Sequence, residues 1–422
     1  MHRTLRSVQR RGPRGQAAYH RAEATVGSLS AALLLLLLAA LLVEASRVRL
    51  PSLAGLSPWQ GPGPRVSVVV AARDEAAHLP SALASWLAQD YEDFEIVLVD
   101  DRSRDATAAL AAAVDDPRLR VLRVERLPPG WLGKPHALAC GVRAARGELL
   151  LFTDADVVFA PTTLRRAVRA LEDGGLDHLT LLPELRARTL ALRAAFAVFG
   201  LFFLLLLRPW RGGPGIGVGA FNLVRRRAYE AIGGHAALRW AVVDDVALGQ
   251  RLRAAGFRQG LFLGHGLVAL DWYPTLRAMM RGLEKNAFAI LGYRWSLVLA
   301  ATAAATAVWI WPFLAPFLLD GPAAGAHAAV ALGLALLVSH LAHRQGLRSP
   351  LLAALPLWAG LLLLVLWRSA WIATWRGAVA WRGTRYPLRL LRVTHRWEVD
   401  PWRSLRVPST ASPSPSTPWR RG

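Results

Sequence analysis

The hydrophobic positions of the chain form long uninterrupted runs near both ends and shorter, alternating segments between them. Residues 24–43 carry no charged side chain, and towards the other end the uncharged runs are residues 295–319, 321–342 and 349–367. A helix needs about 20 apolar residues to cross the hydrocarbon core of a bilayer. The pattern therefore predicts a transmembrane anchor at 24–43 and about three transmembrane helices within residues 295–375.

Two of the apolar runs allow a second interpretation. An arginine-rich start precedes residues 24–43, as in a secretory signal peptide, but the run is long and no small-x-small cleavage site follows it, which favours an anchor. A further run, residues 194–207, is flanked by Arg193 and Arg208 and is short for a span. We expect it to form an interfacial helix under the central domain.

Residues 64–290 show the alternation of strands and helices that is typical of an α/β domain. Apolar segments that fit buried strands fall at residues 66–72, 94–99, 119–124 and 148–153, and each gap between them fits a helix. Continuous apolar strands separated by helices indicate a parallel, doubly wound sheet. No GxGxxG or Walker loop follows the first strand, which argues against a nicotinamide-binding domain and a P-loop ATPase.

Acidic side chains stand at the carboxyl ends of two predicted strands. Asp100 and Asp101 follow the second strand, and Asp154 and Asp156 follow the fourth. Ligands of doubly wound sheets bind outside these carboxyl ends, so we expect the four side chains to meet in one crevice. The Asp154–Asp156 pair supplies hard oxygen ligands suited to Mg²⁺ or Mn²⁺ on a diphosphate, although a lone pair of this spacing also caps turns.

Composition narrows the classes of function. Hydrophobic residues make up 54% of the 422 positions and the formal net charge is +22, so the chain is too apolar to be disordered or wholly soluble and requires anionic partners. The single cysteine, Cys140, excludes an intramolecular disulfide and a cysteine-based zinc cluster. Only two of the 51 basic side chains are lysines, Lys134 and Lys285. Unless the two lysines remain by chance, their positions require the compact point charge of an ammonium group and not a planar guanidinium group.

Five short motifs carry a resemblance to a known family. In chain order they are VVVAARDE at 68–75, VDDRS at 99–103, GKPHAL at 133–138, DAD at 154–156 and VDDVAL at 243–248. They resemble the family 2 glycosyltransferases of the GT-A fold over about residues 64–390. The segments PPGW at 128–131 and WRGTRY at 381–386 resemble the membrane-anchored branch similar to ceramide glucosyltransferases, hopanoid-associated transferases and carotenoid glycosyltransferases.

The resemblance implies a role for each acidic motif. Glu75 and the Asp100–Asp101 pair would hold the nucleoside of a nucleotide-sugar donor, and Asp154 would lie near the ribose and phosphate. Asp156 would ligate the metal ion. These assignments make the crevice a donor site.

The second acidic pair and the first lysine complete the expected donor site. The family usually has Glu-Asp where this chain has Asp244–Asp245. The resemblance aligns Asp245 with the general base, with Asp244 beside it at the donor. Lys134 opens a predicted helix, where an ammonium group and the helix N-terminus together favour phosphate.

One departure from the family bears on the reaction. Polymerising relatives carry Gln-x-x-Arg-Trp near the membrane, whereas this chain has RGLEKN at 281–286. Transfer of a single sugar is therefore favoured. Arg281 and Lys285 are candidate diphosphate contacts, or alternatively a basic flank of the next span. The glycine-rich segment 214–222 either shapes the acceptor pocket or serves as a connector.

The sequence therefore predicts a membrane-bound, inverting glycosyltransferase that uses Mg²⁺ or Mn²⁺ and moves one sugar to a hydroxyl group of a lipid or other membrane-associated acceptor. The alternatives are a processive polysaccharide synthase and a non-catalytic basic membrane scaffold; no aromatic-interleaved basic motif indicates a nucleic-acid partner. We expect a multi-pass protein of the cell membrane with a cytoplasmic catalytic domain. The basic extension 1–23 conflicts with that orientation, and residues 376–422 are expected to be a basic, partly disordered tail.

Overall fold

The computed structural model describes residues 50–207, 213–344, 346–381 and 384–392, together with parts of an N-terminal helix between residues 25 and 43. The predicted extension 1–23 and most of the predicted tail, from residue 393 onwards, lie outside the described residues.

A seven-stranded mixed sheet forms the centre of the soluble domain. Its strands are β1 (Val66–Ala72), β2 (Phe94–Asp101), β3 (Leu119–Val124), β4 (Leu149–Asp154), β6 (His178–Leu182), β8 (Asn222–Arg225) and β9 (Gln259–Leu263). Their order is β3-β2-β1-β4-β8-β6-β9, with the first four parallel and β8 antiparallel to both of its neighbours. The predicted doubly wound α/β arrangement is confirmed, and the antiparallel strand makes the sheet mixed.

Helices cover both faces of this sheet. They are α1 (Leu79–Leu87), α2 (Thr107–Ala112), α3 (Gly133–Ala144), α4 (Thr163–Asp173), α6 (Arg226–Ala231), α7 (Gly234–Ala237) and α8 (Asp244–Ala254). Alternate residues of β1 supply the two cores: Val68 and Val70 pack in the layer of α1 and α4, and Val69 packs in the layer of α3 and α8. This period of two is the reason why a continuous apolar run serves as a doubly covered strand.

A second, smaller sheet and two helices connect the domain to the apolar helices. The strands β5 (Val158–Phe159), β10 (Val268–Leu270) and β7 (Glu184–Leu185) form the small sheet. The helix α5 (Leu190–Leu207) covers the predicted interfacial segment, and α9 (Leu276–Ile290) follows β10. A hairpin of β11 (Ala378–Trp381) and β12 (Thr384–Pro387) comes after the last helix.

Three C-terminal helices are long and apolar enough to cross a membrane, as predicted. They are α10 (Trp295–Phe317), α11 (Gly321–Arg344) and α12 (Leu355–Trp375), the last preceded by a short 3-10 turn from Pro350. Helix α12 continues past the uncharged run that ends at residue 367 and reaches Trp375, within the predicted range. Arg368, inside the helix, pairs with Glu284 of α9 at 2.7 Å. The N-terminal helix packs on α11, where Ser30 Oγ lies 3.2 Å from His327 Nε2.

Candidate active site

The carboxyl ends of β1, β2 and β4 open into a cavity of about 600 Å³. All predicted site residues except Asp100 line it: Glu75, Asp101, Lys134, Asp154, Asp156, Asp244, Asp245, Arg281 and Lys285. The topology explains the convergence, because β1 lies between β2 and β4 in the sheet and parallel neighbours end at the same edge.

Lys134 is the central cation of the cavity. It lies in the first turn of α3, and its Nζ is 2.6 Å from Asp154 Oδ1 and 3.7 Å from Asp244 Oδ2. Burial opposes the charge, but the carboxylates of Asp154, Asp244 and Asp245 outweigh it and raise the pKa of Lys134 above its ordinary value. Lys134 therefore remains protonated throughout the physiological pH range.

Asp245 occupies the first turn of α8 and lines the same cavity. The backbone N–H of Gly219 donates to Asp245 Oδ2 at 2.7 Å. Burial, together with the charge of Asp154, raises the pKa of Asp245 even though Lys134 and two backbone hydrogen bonds lower it. Burial likewise raises the pKa of Asp244 to about 6 against the charge of Lys134. A carboxylate with a raised pKa is a stronger proton acceptor than a free aspartate.

The glycine-rich segment lies between the two groups of carboxylates. Asp154 N–H donates to Gly219 O at 3.0 Å, so the Gly219 residue joins β4 to Asp245. A Cβ atom on Gly219 would lie 2.5 Å from Asp154 Oδ2 and 3.2 Å from Asp245 Oδ2, and one on Gly217 would lie 2.0 Å from Asp245 O. Only glycine allows this close approach. The segment is thus part of the site and not only a connector.

A buried polar network holds the glycine-rich segment in place. Asn222 Nδ2 donates to Val218 O at 2.7 Å, and Val218 N–H donates to Asn222 Oδ1 at 3.2 Å. His178 Nε2 lies 3.1 Å from the same oxygen, and Gln259 Nε2 lies 3.0 Å from His178 Nδ1. Because the amide oxygen only accepts, Nε2 of His178 carries the proton and Nδ1 accepts. Burial lowers the pKa of His178 to about 4, which keeps the ring neutral.

The carboxylate oxygens around Asp156 fit a divalent cation. Burial, followed by the charges of Asp154 and Glu75, raises the pKa of Asp156 to about 6. A cation between these oxygens would relieve the repulsion. Among the residues that the structure describes, no three metal-ligating side chains form a complete protein cage. This suits Mg²⁺ and Mn²⁺ sites in which one or two carboxylates act with substrate phosphates and water.

The adjacent residues Asp100 and Asp101 have different surroundings. Asp101 lines the cavity, and its Oδ1 accepts from Arg102 Nε at 2.7 Å. Asp100 is fully buried within β2, where its Oδ1 accepts from Ser103 N–H at 3.3 Å and its Oδ2 lies 3.8 Å from Arg123 Nε. Side chains alternate across a strand, and β2 continues through both residues. Asp100 is thus placed to support the loop after β2, whereas Asp101 faces the ligand space.

The wall of the cavity that α9 forms carries the second lysine. Lys285 Nζ lies 4.2 Å from the centroid of the Trp381 ring. Burial, reinforced by the charge of Lys134, lowers the pKa of Lys285 to about 8. Arg281, one turn earlier on α9, is exposed and also lines the cavity. Both predicted diphosphate contacts thus line the same cavity as the carboxylates.

Several aromatic residues of the cavity were missed by the sequence interpretation. Phe199 of α5 packs against Trp272 at 5.0 Å and against Phe203 at 6.1 Å between ring centroids. Trp381 and Tyr386 come from the β11–β12 hairpin, and Gly133 N–H donates to Tyr386 Oη at 3.4 Å. The apolar run at 194–207 and the WRGTRY motif were the available signals. Neither indicates which side chains face the cavity.

Comparisons with known proteins agree with this geometry. Residues 67–233 match the profile described as Glycosyl transferase family 2. The chain contains a family 2 glycosyltransferase domain. The match, together with the mixed sheet, confirms the predicted resemblance and the predicted GT-A type of fold.

Curated relatives resemble parts of the chain. The succinoglycan biosynthesis protein ExoO of Rhizobium meliloti is 39% identical over 26% of this chain and 31% of that protein. An undecaprenyl-phosphate 4-deoxy-4-formamido-L-arabinose transferase of Aeromonas hydrophila is 33% identical over 26% of this chain and 34% of that protein. The 4,4'-diaponeurosporenoate glycosyltransferase of Staphylococcus haemolyticus is 23% identical over 52% of this chain and 60% of that protein. The chain spans about a third of the length of the relatives to which it is more than 30% identical.

A solved structure aligns over most of the chain. The mannosyltransferase PcManGT from Pyrobaculum calidifontis, solved with GDP-Man and Mn²⁺, covers 91% of this chain and 99% of its own, with 20% identity and a TM-score of 0.47.

Proposed function

We propose that the protein is a membrane-bound, inverting glycosyltransferase that moves a single sugar from a nucleotide-sugar donor to a hydroxyl group of a lipid or other membrane-associated acceptor. The observation that carries the proposal is the arrangement of Asp245, Lys134 and Asp156 in one cavity at the carboxyl edge of the sheet. It supplies a half-buried proton acceptor, a cation for a phosphate and a carboxylate for a divalent ion. These are the groups that sugar transfer from a nucleotide diphosphate requires.

Asp245 is the general base of the proposed reaction. The acceptor oxygen attacks the anomeric carbon while its proton passes to an Asp245 carboxylate oxygen. The bond between the anomeric carbon and the diphosphate oxygen breaks, so the configuration at that carbon inverts. The Gly219 N–H, at 2.7 Å from Oδ2, fixes the carboxylate for this transfer.

The remaining charged groups bind and stabilise the donor. Lys134, Arg281 and Lys285 surround the space for the diphosphate and offset its negative charge as it leaves. Asp156, beside Asp154 near the ribose and phosphate, would hold a divalent ion, which when bound supplies further positive charge to the diphosphate. Asp101 and Glu75 are proposed as nucleoside contacts, whereas Asp100 would support them from inside β2.

The acceptor side of the cavity is apolar. Phe203, Val218 and Val243 pack against Ile216 and Val246. Val218 directly precedes Gly219, whose N–H binds Asp245, and α5 belongs to the same core as α11 and α12. An apolar path from Asp245 towards the apolar helices suits a lipid acceptor. The names of the undecaprenyl-phosphate and diaponeurosporenoate relatives are consistent with such an acceptor. Nucleotide sugars are made in the cytosol, so the cavity is proposed to face the cytoplasm of a multi-pass membrane protein.

The proposal is tested with the full chain purified into lipid nanodiscs. A panel of nucleotide sugars with Mg²⁺ or Mn²⁺ is supplied together with a lipid extract, and the products are measured by mass spectrometry. We expect a nucleotide diphosphate and a lipid heavier by one sugar residue. A ladder of added sugars would favour a polysaccharide synthase, and no metal-dependent turnover of any donor would favour a scaffold.

A further inference from the structure

Gly282 lies in the middle of α9, where glycine is an unfavourable residue. Glycine destabilises the interior of a helix relative to alanine, because it loses more conformational freedom on folding. The surroundings show what this glycine allows: a Cβ atom here would lie 2.5 Å from Cζ of Tyr273, and closer still to its Cε1 and Oη. The ring of Tyr273 therefore lies directly against the backbone of α9.

Aromatic packing holds the ring of Tyr273 in this position. Its centroid is 4.8 Å from that of Trp272, the preceding residue. Trp272 in turn packs on Phe196 and Phe199 of α5, at 5.5 and 5.0 Å between centroids. The place of the ring is thus set by α5 on one helix and by the absence of a side chain at position 282 on the other.

The hydroxyl end of Tyr273 lies at the charged part of the catalytic cavity. Gly282, which it contacts, is one residue after Arg281 and three before Lys285, and all four residues line the cavity. Positions three and four apart share a face of a helix. The hydroxyl group of Tyr273 is therefore beside the two proposed diphosphate contacts.

The Tyr273 side chain is a neutral hydrogen-bond donor at physiological pH. Burial, reinforced by the charges of Asp156 and Asp154, raises the pKa of Tyr273 to about 12, so the hydroxyl group keeps its proton. Both carboxylates line the same cavity. A hydrogen bond from this O–H group to an anionic oxygen would be charge-assisted and stronger than one between neutral groups.

Tyr273 differs from two other tyrosines of the domain in its hydrogen bonding. Tyr91 Oη donates to Pro64 O at 2.7 Å, and Tyr229 Oη accepts from His235 N–H at 2.9 Å. In the part of the chain that the structure describes, no protein group pairs with the hydroxyl group of Tyr273. A tyrosine hydroxyl group in a protein interior usually has a partner, so the ligand of the cavity is expected to supply one.

We propose that Tyr273 is a further donor-binding residue, whose hydroxyl group donates a hydrogen bond to the diphosphate of the nucleotide sugar. The inference rests on the proposed function, because that function places the diphosphate beside Arg281 and Lys285. An oxygen of the diphosphate is the ligand atom that suits a neutral donor next to two cations. Gly282 is a positioning residue, which acts by letting the ring of Tyr273 lie against α9.

Nucleotide binding by the full chain in lipid nanodiscs, measured by isothermal titration with Mn²⁺ present, tests the role of Tyr273. The probes are UDP, GDP, ADP, CDP and dTDP and one hexose conjugate of each. For the nucleotide that the parental protein binds, we expect Tyr273→Phe to bind the diphosphate and its hexose conjugate both roughly 10-fold more weakly, the effect of losing one hydrogen bond to a charged group. The control is Tyr91→Phe, which loses a hydroxyl group that does not line the cavity and should keep both affinities.

Gly282→Ala tests the positioning role of the glycine. Alanine favours the helix but forces the ring of Tyr273 away from α9, so the variant should keep its melting temperature and bind the diphosphate about as weakly as Tyr273→Phe. The double variant should lose no more affinity than either single variant, because both changes act through one hydroxyl group. The control is Gly360→Ala on α12, where a Cβ atom would meet nothing within 4 Å.

Parental affinity of Tyr273→Phe for the nucleoside diphosphate would overturn the proposal, and a loss confined to the hexose conjugate would assign the hydroxyl group to the sugar instead. Additive losses in the double variant would overturn the positioning role of Gly282. A parental protein that binds none of the five diphosphates would contradict the proposed donor site as a whole. That result is distinct from a failure at Tyr273 alone, in which the parental protein binds a diphosphate and Tyr273→Phe binds it equally well.

Discussion

The Lys134 ammonium group lies 2.6 Å from Asp154 Oδ1 and faces three carboxylates at once. A planar guanidinium group is wider and cannot take the place of a compact ammonium group among them. We expect Lys134→Arg to weaken donor binding roughly 10-fold, the equivalent of about 1.4 kcal/mol, despite the retained charge. Isothermal titration with the nucleotide-sugar donor measures the effect.

A matched control for this variant lies on the same helix. Arg143 is exposed near the end of α3, and Arg143→Lys should leave donor affinity unchanged. Parental affinity in Lys134→Arg would mean that any cation suffices at position 134.

Metal dependence is expected to reside in Asp156. Removal of divalent ions with EDTA should abolish transfer by the parental protein, and added Mg²⁺ or Mn²⁺ should restore it. Loss of a residue that only hydrogen-bonds to a metal ligand weakens metal binding roughly 10- to 100-fold. Asp156→Asn removes a proposed ligand itself, so it should weaken metal binding by more than this. Titration of Mn²⁺ by electron paramagnetic resonance in the presence of a nucleoside diphosphate measures the affinity. Transfer that persists in EDTA would exclude the metal role.

Lys285 predicts a pH dependence of donor binding. Its pKa is lowered to about 8, so the free protein loses this positive charge as the pH rises through about 8. Donor affinity should therefore fall between pH 7 and 9.5. Lys285→Arg keeps its charge over this range and can still stack on Trp381, so its affinity should fall less. Equal declines in both proteins would show that another group is responsible.

Asn222 should act on turnover through the glycine-rich segment. Asn222→Ala removes both hydrogen bonds to Val218, so we expect kcat to fall while the donor KM stays near the parental value. Leaving buried groups unpaired should also cost about 1–3 kcal/mol of stability. His178→Gln, which can still donate to Asn222, should retain more activity than His178→Leu.

The control for Asn222 is another buried polar residue. Thr163 is fully buried and donates to Ala160 O at 2.8 Å and Leu267 O at 2.9 Å, away from the glycine-rich segment. Thr163→Val should lower the melting temperature without lowering kcat. If both variants lose kcat in proportion to their stability, Asn222 has only a structural role.

The local pattern of the chain was sufficient to predict most of the sheet. The predicted strands at 66–72 and 119–124 coincide with β1 and β3, because buried parallel strands are short, continuous and apolar. The second strand was expected to end at residue 99, yet β2 continues through Asp101. That extension places Asp100 inside the strand, since neighbouring side chains point to opposite faces.

Contacts between distant segments could not be read from the sequence. Trp381 and Tyr386 reach the cavity from a hairpin that begins 88 residues after the end of α9, and Phe199 reaches it from α5. No periodicity within these segments indicates a partner so far away along the chain. The motifs therefore predict the charged half of the cavity, and tertiary packing determines the aromatic half.

The role of Asp245 as general base is tested most directly by the transfer rate of Asp245→Asn, compared with Asp244→Asn and with the exposed control Asp115→Asn. Asparagine keeps the shape of the side chain but cannot accept the proton of the acceptor. We predict that Asp245→Asn loses transfer by about 10²- to 10⁴-fold, that its donor affinity and melting temperature stay close to parental values, and that Asp244→Asn is milder. Near-parental turnover by a folded, donor-binding Asp245→Asn protein would contradict the account.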